Sequence, residues 1–226
     1  MATVRFTIDG QAVSCEKDSI LLDVAQANGF SIPALCYHQA EPAYGACRLC
    51  LVEVVGSPKL VPACVTRVQE GMEVITNSKR LQKYRRMILE MLFAERNHIC
   101  AVCVANGNCE LQALAQELGV DHVTMPYMHP RLGVDATHKL FAIDHNRCIL
   151  CTRCVRFMKE VAGEEQLAVV ERGDHAEIAV AYGRELTSPY SMNIVDLCPV
   201  GALTSADFRF KSRVWFLTNV PSTCTS

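Results

Sequence analysis

The sequence predicts an α+β chain of 226 residues divided into small consecutive units, and three observations carry that prediction. Val4, Phe6 and Ile8 alternate with polar residues, turn at Asp9-Gly10 and continue into Gln11-Ala12-Val13, the pattern of a β-hairpin. Apolar residues then recur at helical spacing in a short stretch after Ser19, a long one after Ser78 and another short one after Cys109. Finally, the chain holds 13 cysteines, and all but Cys15 and Cys224 gather into three spaced sets.

In chain order, Asp18-Ser19 caps a helix through Ile20, Leu21, Leu22, Val24 and Ala25, with Gly29 as its stop. Pro33 opens a loop, and strands are expected over Leu51–Val55, Leu60–Ala63 and Glu73–Thr76. That loop carries the first cysteine set, Cys36, Cys47, Cys50 and Cys64. Gly45-Ala46 suits a turn that brings backbone N–H groups onto sulfur, where they would stabilise a reduced cluster. Asn77-Ser78 starts a helix whose apolar residues are Leu81, Tyr84, Ile88, Met91 and Leu92. Lys79, Arg80, Lys83, Arg85 and Arg86 give it a basic, solvated face that could also meet an acidic partner.

The helix delivers the second set, Cys100, Cys103 and Cys109, with His98 two residues upstream standing where a fourth ligand is lacking. Glu110 to Leu118 read as a helix stopped by Gly119. Residues 120–138 lack a period and read as a surface connection, with His122, His129 and His138 structural or exposed rather than ligands. Phe141–Asp144 is a short strand, Phe157–Val161 a helix, and residues 166–187 strands with turns at Gly173-Asp174 and Gly183. Ala206–Leu217 form a terminal helix or an extended arm.

The third set is Cys148, Cys151 and Cys154, a C-x2-C-x2-C run completed from a distance by Cys198, followed by Pro199. Three thiols so spaced wrap one turn of backbone round a cubane, and bacterial ferredoxins complete such a run with a Cys-Pro. Zinc also takes four thiolates, but usually from two separated C-x2-C knuckles. A second cluster in this unit would need Cys at 158, 188, 191 and 194, where Met158, Ser188, Ser191 and Ile194 stand, so the unit is read as holding one [4Fe–4S] cluster. Arg147, Arg153 and Arg156 flank the site as cations that could ease its reduction or simply meet solvent.

Composition narrows the function. The formal charge of −2 argues for neither a nucleic-acid nor a membrane-surface partner. No apolar run approaches the ~20 residues of a membrane span, and the N-terminus enters a strand directly rather than a signal peptide. Cysteines in C-x2-C units point to metal in a reducing cytoplasm rather than to disulfides, with Cys15 and Cys224 as inert leftovers. Neither a G-x-G-x-x-G nor a P-loop string is present, which leaves nucleotide and flavin binding to other chains.

The hairpin, helix, cysteine loop and strands resemble the β-grasp of plant-type ferredoxins, and C-x10-C-x2-C-x13-C varies their C-x4-C-x2-C pattern with a longer first gap and a shorter last one. With all three sets placed, including the strings EMLFAERNHICAVCVANGNCELQ and DHNRCILCTRCVRF, the chain resembles the N-terminal iron–sulfur region of the large NADH-dehydrogenase (complex I) subunit and of iron-only hydrogenases. The spacing His98-x-Cys100 departs from that family's H-x3-C. The resemblance implies a β-grasp [2Fe–2S] domain over 1–77 and a small helical [4Fe–4S] module with one His and three Cys over 78–119. A connection over 120–138, a ferredoxin-like α+β [4Fe–4S] domain over 139–212 and a tail over 213–226 follow.

A chain of this size with ANGNCELQ resembles the small diaphorase subunits of cytoplasmic NAD-reducing [NiFe] hydrogenases. That implies an electron relay with no substrate site of its own. FMN, NAD and the NiFe centre would sit on partner chains, namely a flavin/NAD-binding diaphorase subunit and the small and large hydrogenase subunits. Rival readings are the same relay in a formate dehydrogenase, an NADP-reducing hydrogenase or a complex I-like enzyme, a free-standing ferredoxin-like carrier, and a redox-silent multi-zinc module.

Overall fold

In the computed structural model, residues 2–128, 131–181, 185–218 and 220–221 are described. Strands β1 (Thr3–Ile8) and β2 (Gln11–Glu16) form the expected hairpin, with Phe6 opposite Val13 and Asp9-Gly10 both at positive φ in the turn. The alternation buries Val4, Phe6 and Ile8 on one face. That face receives α1 (Leu21–Ala27), which buries Leu21, Leu22, Val24 and Ala25. The N-cap is Ile20, without a side-chain cap, rather than the expected Asp18-Ser19. The Leu21 N–H finds its acceptor on the Thr66 carbonyl across the unit instead, and the Ser19 hydroxyl turns back to the Glu16 carbonyl. Gly29, at φ +81°, ends the helix as expected.

Strands β3 (Leu51–Val54), β4 (Leu60–Pro62) and β5 (Glu73–Ile75) complete a mixed sheet in the order β2-β1-β5-β3-β4, with β5 parallel to β1. One helix on a five-stranded mixed sheet is the grasp arrangement that the sequence resembled. Helix α2 (Lys79–Glu95) is capped by Ser78, whose Oγ accepts the Leu81 N–H at 3.1 Å.

The inward face of α2 differs from expectation. Leu81, Arg85, Leu89 and Ala94 are buried, while Tyr84 and Met91 are exposed. Arg85 is therefore not part of a solvated basic face. Its guanidinium donates to the carbonyls of Leu49 and Leu51, tying α2 to the first cysteine loop.

Helix α3 (Glu110–Glu117) runs to Gly119, which takes φ +64°. Strand β6 (Val134–Asp135) lies within the segment read as a connection and pairs with β7 (Phe141–Asp144). The other neighbour of β7 is β10 (Leu203–Ser205), which the sequence did not announce. Helix α4 (Arg153–Arg156) continues over Phe157–Val161 as a π-helical turn rather than the expected α-helix. A hairpin of β8 (Leu167–Val170) and β9 (Glu177–Val180) turns at Gly173–His175, and α5 (Asn193–Leu197) precedes Cys198. The turn expected at Gly183 lies outside the described residues. After β10 the chain makes turns and a short 3-10 helix at Val214–Phe216, neither the helix nor the extended arm expected.

Three clusters of buried side chains hold these elements. One fills the grasp unit between sheet and α1, with Cys15 packed at its margin. A second lies under β7–β10, and Met158 and Ile194 are in it. Those two residues and the buried Ser188 and Ser191 thus occupy the positions where a second set of thiols would stand. The third joins Leu35 and Leu49 of the first cysteine loop to Leu89, Leu111, Val200 and Ala202, so one core is shared by all three cysteine regions.

Candidate metal-cluster sites

At the first site four thiols are brought close together, Cys36 beside Cys47 and Cys64, and Cys64 beside Cys50. The loop folds so that its own amides face these sulfurs: Cys47 N–H points at Cys36 Sγ and Leu35 N–H at Cys47 Sγ, each at 3.4 Å. Gly45 takes φ +72° to make that turn. Their proximity divides the thiols: the neighbouring Cys47 and Cys64 lower Cys36, whereas its place beside Cys36 and its burial raise Cys47. Thiolate character at neutral pH is what an iron-binding cysteine requires.

The second site is a small pocket lined by His98, Cys100, Cys103 and Cys109, with Phe93, Arg147 and Gly201 among its other walls. Cys100–Val102 form a 3-10 turn, and Cys109 is the N-cap of α3. Burial raises the Cys100 thiol and lifts Cys109 to about 11. The His98 ring packs edge-on against Phe93, with centroids 5.3 Å apart. The shortened His-x-Cys spacing therefore still brings the imidazole to the cavity wall beside the three thiols.

The third site is a small pocket lined by Cys148, Cys151, Cys154 and Cys198, with Thr152, Arg153 and Val200. Leu150 and Thr152 both adopt left-handed φ, at +51° and +59°, and so turn the run tightly round its centre. Burial pushes Cys148 up to about 11 and raises Cys151, Cys154 and Cys198 as well. Apolar walls of this kind favour a delocalised cluster charge over four separate thiolates.

No three or more His, Cys, Asp or Glu side chains among the described residues close to the spacing of one bare metal ion. At the second and third sites the donors stand around gaps instead, and the backbone is shaped to leave them. A Cβ on Gly201 would run into the Cys103 sulfur. The donor sets thus fit iron–sulfur clusters, with thiolate throughout and one imidazole at the second site.

The second and third sites are neighbours. Val200, two residues after Cys198, lines both cavities. The Glu110 N–H, directly after Cys109, donates to the carbonyl of Pro199, directly after Cys198, at 2.9 Å. Above that bond the Glu110 carboxylate grips Arg153 with two contacts of 2.7 and 2.9 Å.

The flanking arginines are therefore not the solvated cations that they resembled in the sequence. Arg153 is buried and clamps two sites together. Arg147 pairs with Asp144 and lines the second cavity. Arg156 pairs with the buried Glu41 at 2.8 Å and donates to the Cys36 carbonyl, fastening the third unit to the first site. Glu41 was missed in the sequence because a carboxylate in an irregular loop carries no periodic signal. Of the other histidines, His122 is exposed beside Asp121, His138 stacks on Phe141 with centroids 4.2 Å apart, and His129 lies outside the described residues, as does Cys224.

Comparison with known proteins agrees with this geometry. Residues 1–79 match the 2Fe-2S iron-sulfur cluster binding domain, and residues 85–124 the NADH-ubiquinone oxidoreductase-G iron-sulfur binding region. Residues 139–204 match the ferredoxin-like domain of NADH-quinone oxidoreductase subunit 3. The chain belongs to the iron–sulfur family of the NADH-quinone oxidoreductase 75/78 kDa subunits.

Within that family it is 41% identical over 219 residues to the mitochondrial NADH-ubiquinone oxidoreductase 78 kDa subunit of Candida albicans, covering 96% of this chain and 30% of that protein. It is 36% identical to the NADPH-Fe(3+) oxidoreductase subunit alpha of Geobacter sulfurreducens, over 98% of this chain and 26% of that subunit. The chain thus spans about a third or less of these curated relatives. Among solved structures it is similar to a chain of the NAD+-reducing [NiFe]-hydrogenase in the H2-reduced state, with a TM-score of 0.85, 35% identity, and coverage of 94% of this chain and 92% of that one. As a member of this family the chain is an iron–sulfur electron-transfer protein with 2Fe–2S and 4Fe–4S binding regions. Among the described residues no helix is long and apolar enough to cross a membrane.

Proposed function

We propose that the chain is the electron relay between a hydrogen-oxidising module and a flavin/NAD(H) module, in the overall conversion of H2 and NAD+ to NADH and a proton. Cys36, Cys47, Cys50 and Cys64 would hold a [2Fe–2S] cluster. His98, Cys100, Cys103 and Cys109 would hold one [4Fe–4S] cluster, and Cys148, Cys151, Cys154 and Cys198 another. Such clusters, when bound, supply one-electron redox chemistry without proton transfer. The chain's own residues position the sites, exclude water and supply charge. FMN, NAD and the NiFe centre belong to partner chains, a flavin/NAD-binding subunit and the small and large hydrogenase subunits, in the cytoplasm.

The observation that carries this reading is the adjacency of three thiol-lined sites within one core, with Val200 shared between two of them. The likeness to a chain of NAD+-reducing [NiFe]-hydrogenase supports the choice of partners. A second reading, the same relay in a complex I-like NADH dehydrogenase, is favoured by the 41% identity to a 78 kDa subunit.

Anaerobic purification with co-purifying chains, followed by metal, sulfide and flavin analysis, separates them. Roughly 10 irons on this chain are expected from one binuclear and two tetranuclear sites. Nickel and flavin in the partners would support the hydrogenase relay, and iron without nickel would move it to another dehydrogenase. Zinc in place of iron would end both readings.

A further inference from the structure

The sequence directs attention to arginines beside the C-x2-C-x2-C run, yet each of those has a carboxylate within 2.9 Å. A buried arginine without one is Arg96, just beyond the C-terminus of α2. It is 2% exposed, among the most deeply buried large side chains of the protein. Its Nη2 donates to the Ala176 carbonyl at 2.9 Å, but Nε and Nη1 are buried with no hydrogen-bond partner. The nearest carboxylate, Glu95, stands 3.8 Å away, beyond hydrogen-bond distance.

A buried guanidinium left in that state carries a large desolvation cost unless an anion offsets it. Arg85, on the same helix, shows the contrast: its Nε and Nη2 are used on the Leu49 and Leu51 carbonyls.

Arg96 stands two residues before His98 but reaches toward the third site through Ala176. Ala176, which it contacts, leads into β9, and Ile178 of β9 lines the third cavity.

We propose that Arg96 is the buried counter-charge of the third site, a positioning residue whose guanidinium raises the reduction potential of the cluster held by Cys148, Cys151, Cys154 and Cys198. This rests on the iron–sulfur reading of that site. A fixed positive charge in a low-dielectric wall stabilises the form with one more electron, and water cannot screen it there. Arg153, although it lines the cavity, has its charge already matched by Glu110 and contributes less.

The test uses the anaerobically purified chain with its co-purifying partners, as wild type, Arg96→Gln and Arg96→Lys. Glutamine is polar but uncharged and shorter, and lysine keeps the charge without the fork. Iron content is measured first, then each cluster's midpoint by potentiometric titration followed by electron paramagnetic resonance.

In Arg96→Gln with full iron, the reduced-to-oxidised ratio of one tetranuclear signal should fall about tenfold at the wild-type midpoint, about 59 mV for one electron. The other signals should stay in place, and Arg96→Lys should recover most of the shift. Loss of third-site iron in Arg96→Gln with retention in Arg96→Lys would support the same role for the charge. Unchanged midpoints in an iron-replete Arg96→Gln, or loss of that iron in both variants, would overturn the proposal. Wild-type protein without iron would instead overturn the reading on which it rests.

Discussion

The four thiols of the first site neighbour one another in a loop packed on a sheet, whereas those of the second and third line two small pockets that share Val200. The scaffolds differ in the same sense. Around the first site a five-stranded sheet and α1 enclose their own apolar core, and Cys50 and Cys64 are members of it. The second site has a 3-10 turn, one helix N-terminus and the Val200-Gly201 loop borrowed from beyond Cys198. A sheet that buries its own apolar face is stable without a ligand, whereas loops that surround a cavity lack contacts on one side. The comparison teaches that the first site is held mainly by protein and the other two largely by what they bind.

Cluster removal breaks or upholds this most directly. Chelation under oxidising conditions should leave slow amide exchange in β1, β2 and β5. Residues around 98–109, 148–157 and 198–204 should lose protection toward that of fraying loops. Hydrogen exchange with mass spectrometry measures both regions in one sample. Equal loss in the sheet would show that the first unit, too, depends on its ligand.

A smaller and more local effect is expected at Gly201. Its φ is not in the left-handed region, so alanine is conformationally acceptable there; the new methyl would run into the Cys103 sulfur and press more lightly on the Ala105 Cβ at 3.1 Å. A thiol in an empty loop could swing aside, but a sulfur bonded to iron cannot. Gly201→Ala should therefore lower iron by roughly four atoms per chain, those of the tetranuclear second site, while leaving the binuclear signal intact. Full iron in that variant would show that the loop yields and that the second site is less tightly shaped than the geometry indicates.

Legibility in the sequence follows the same divide. The hairpin, the Ser78 cap and the Gly29 and Gly119 stops were readable because each depends on local chemistry. Spacing also grouped the thiol sets, and the structure brings the second and third each round one pocket, with His98 on the wall of the second. Strand β10 was not, because three residues after a cysteine loop show no period and gain their partner β7 from some sixty residues away. Nor were the cross-unit pairs Glu110 with Arg153 and Glu41 with Arg156, or the inward turn of Arg85 on a helix studded with cations. Composition sees charge as solvated, and only the tertiary arrangement shows which charges are spent on a neighbouring loop.

Arg85 gives the finest test of how far the first site is held by protein alone. Its guanidinium crosses from α2 to the two carbonyls that flank Cys50, Leu49 on one side and Leu51 on the other, and it is itself 4% exposed. Burial lowers its pKa, but only from a value so high that the group stays charged at any working pH. Replacement by methionine keeps the length and much of the apolar stem, yet leaves both carbonyls without that donor. The expected cost is roughly 3 kcal/mol, because hydrogen bonds from a charged donor are worth more than neutral ones and buried acceptors are left unmade. If the grasp unit is an independently stable scaffold, that loss should appear as a lower denaturation midpoint of the apo chain, and again in the iron-loaded chain. If the bound cluster holds the Cys50 loop instead, the apo chain should be destabilised and the loaded chain should not, as denaturant unfolding of both forms would show.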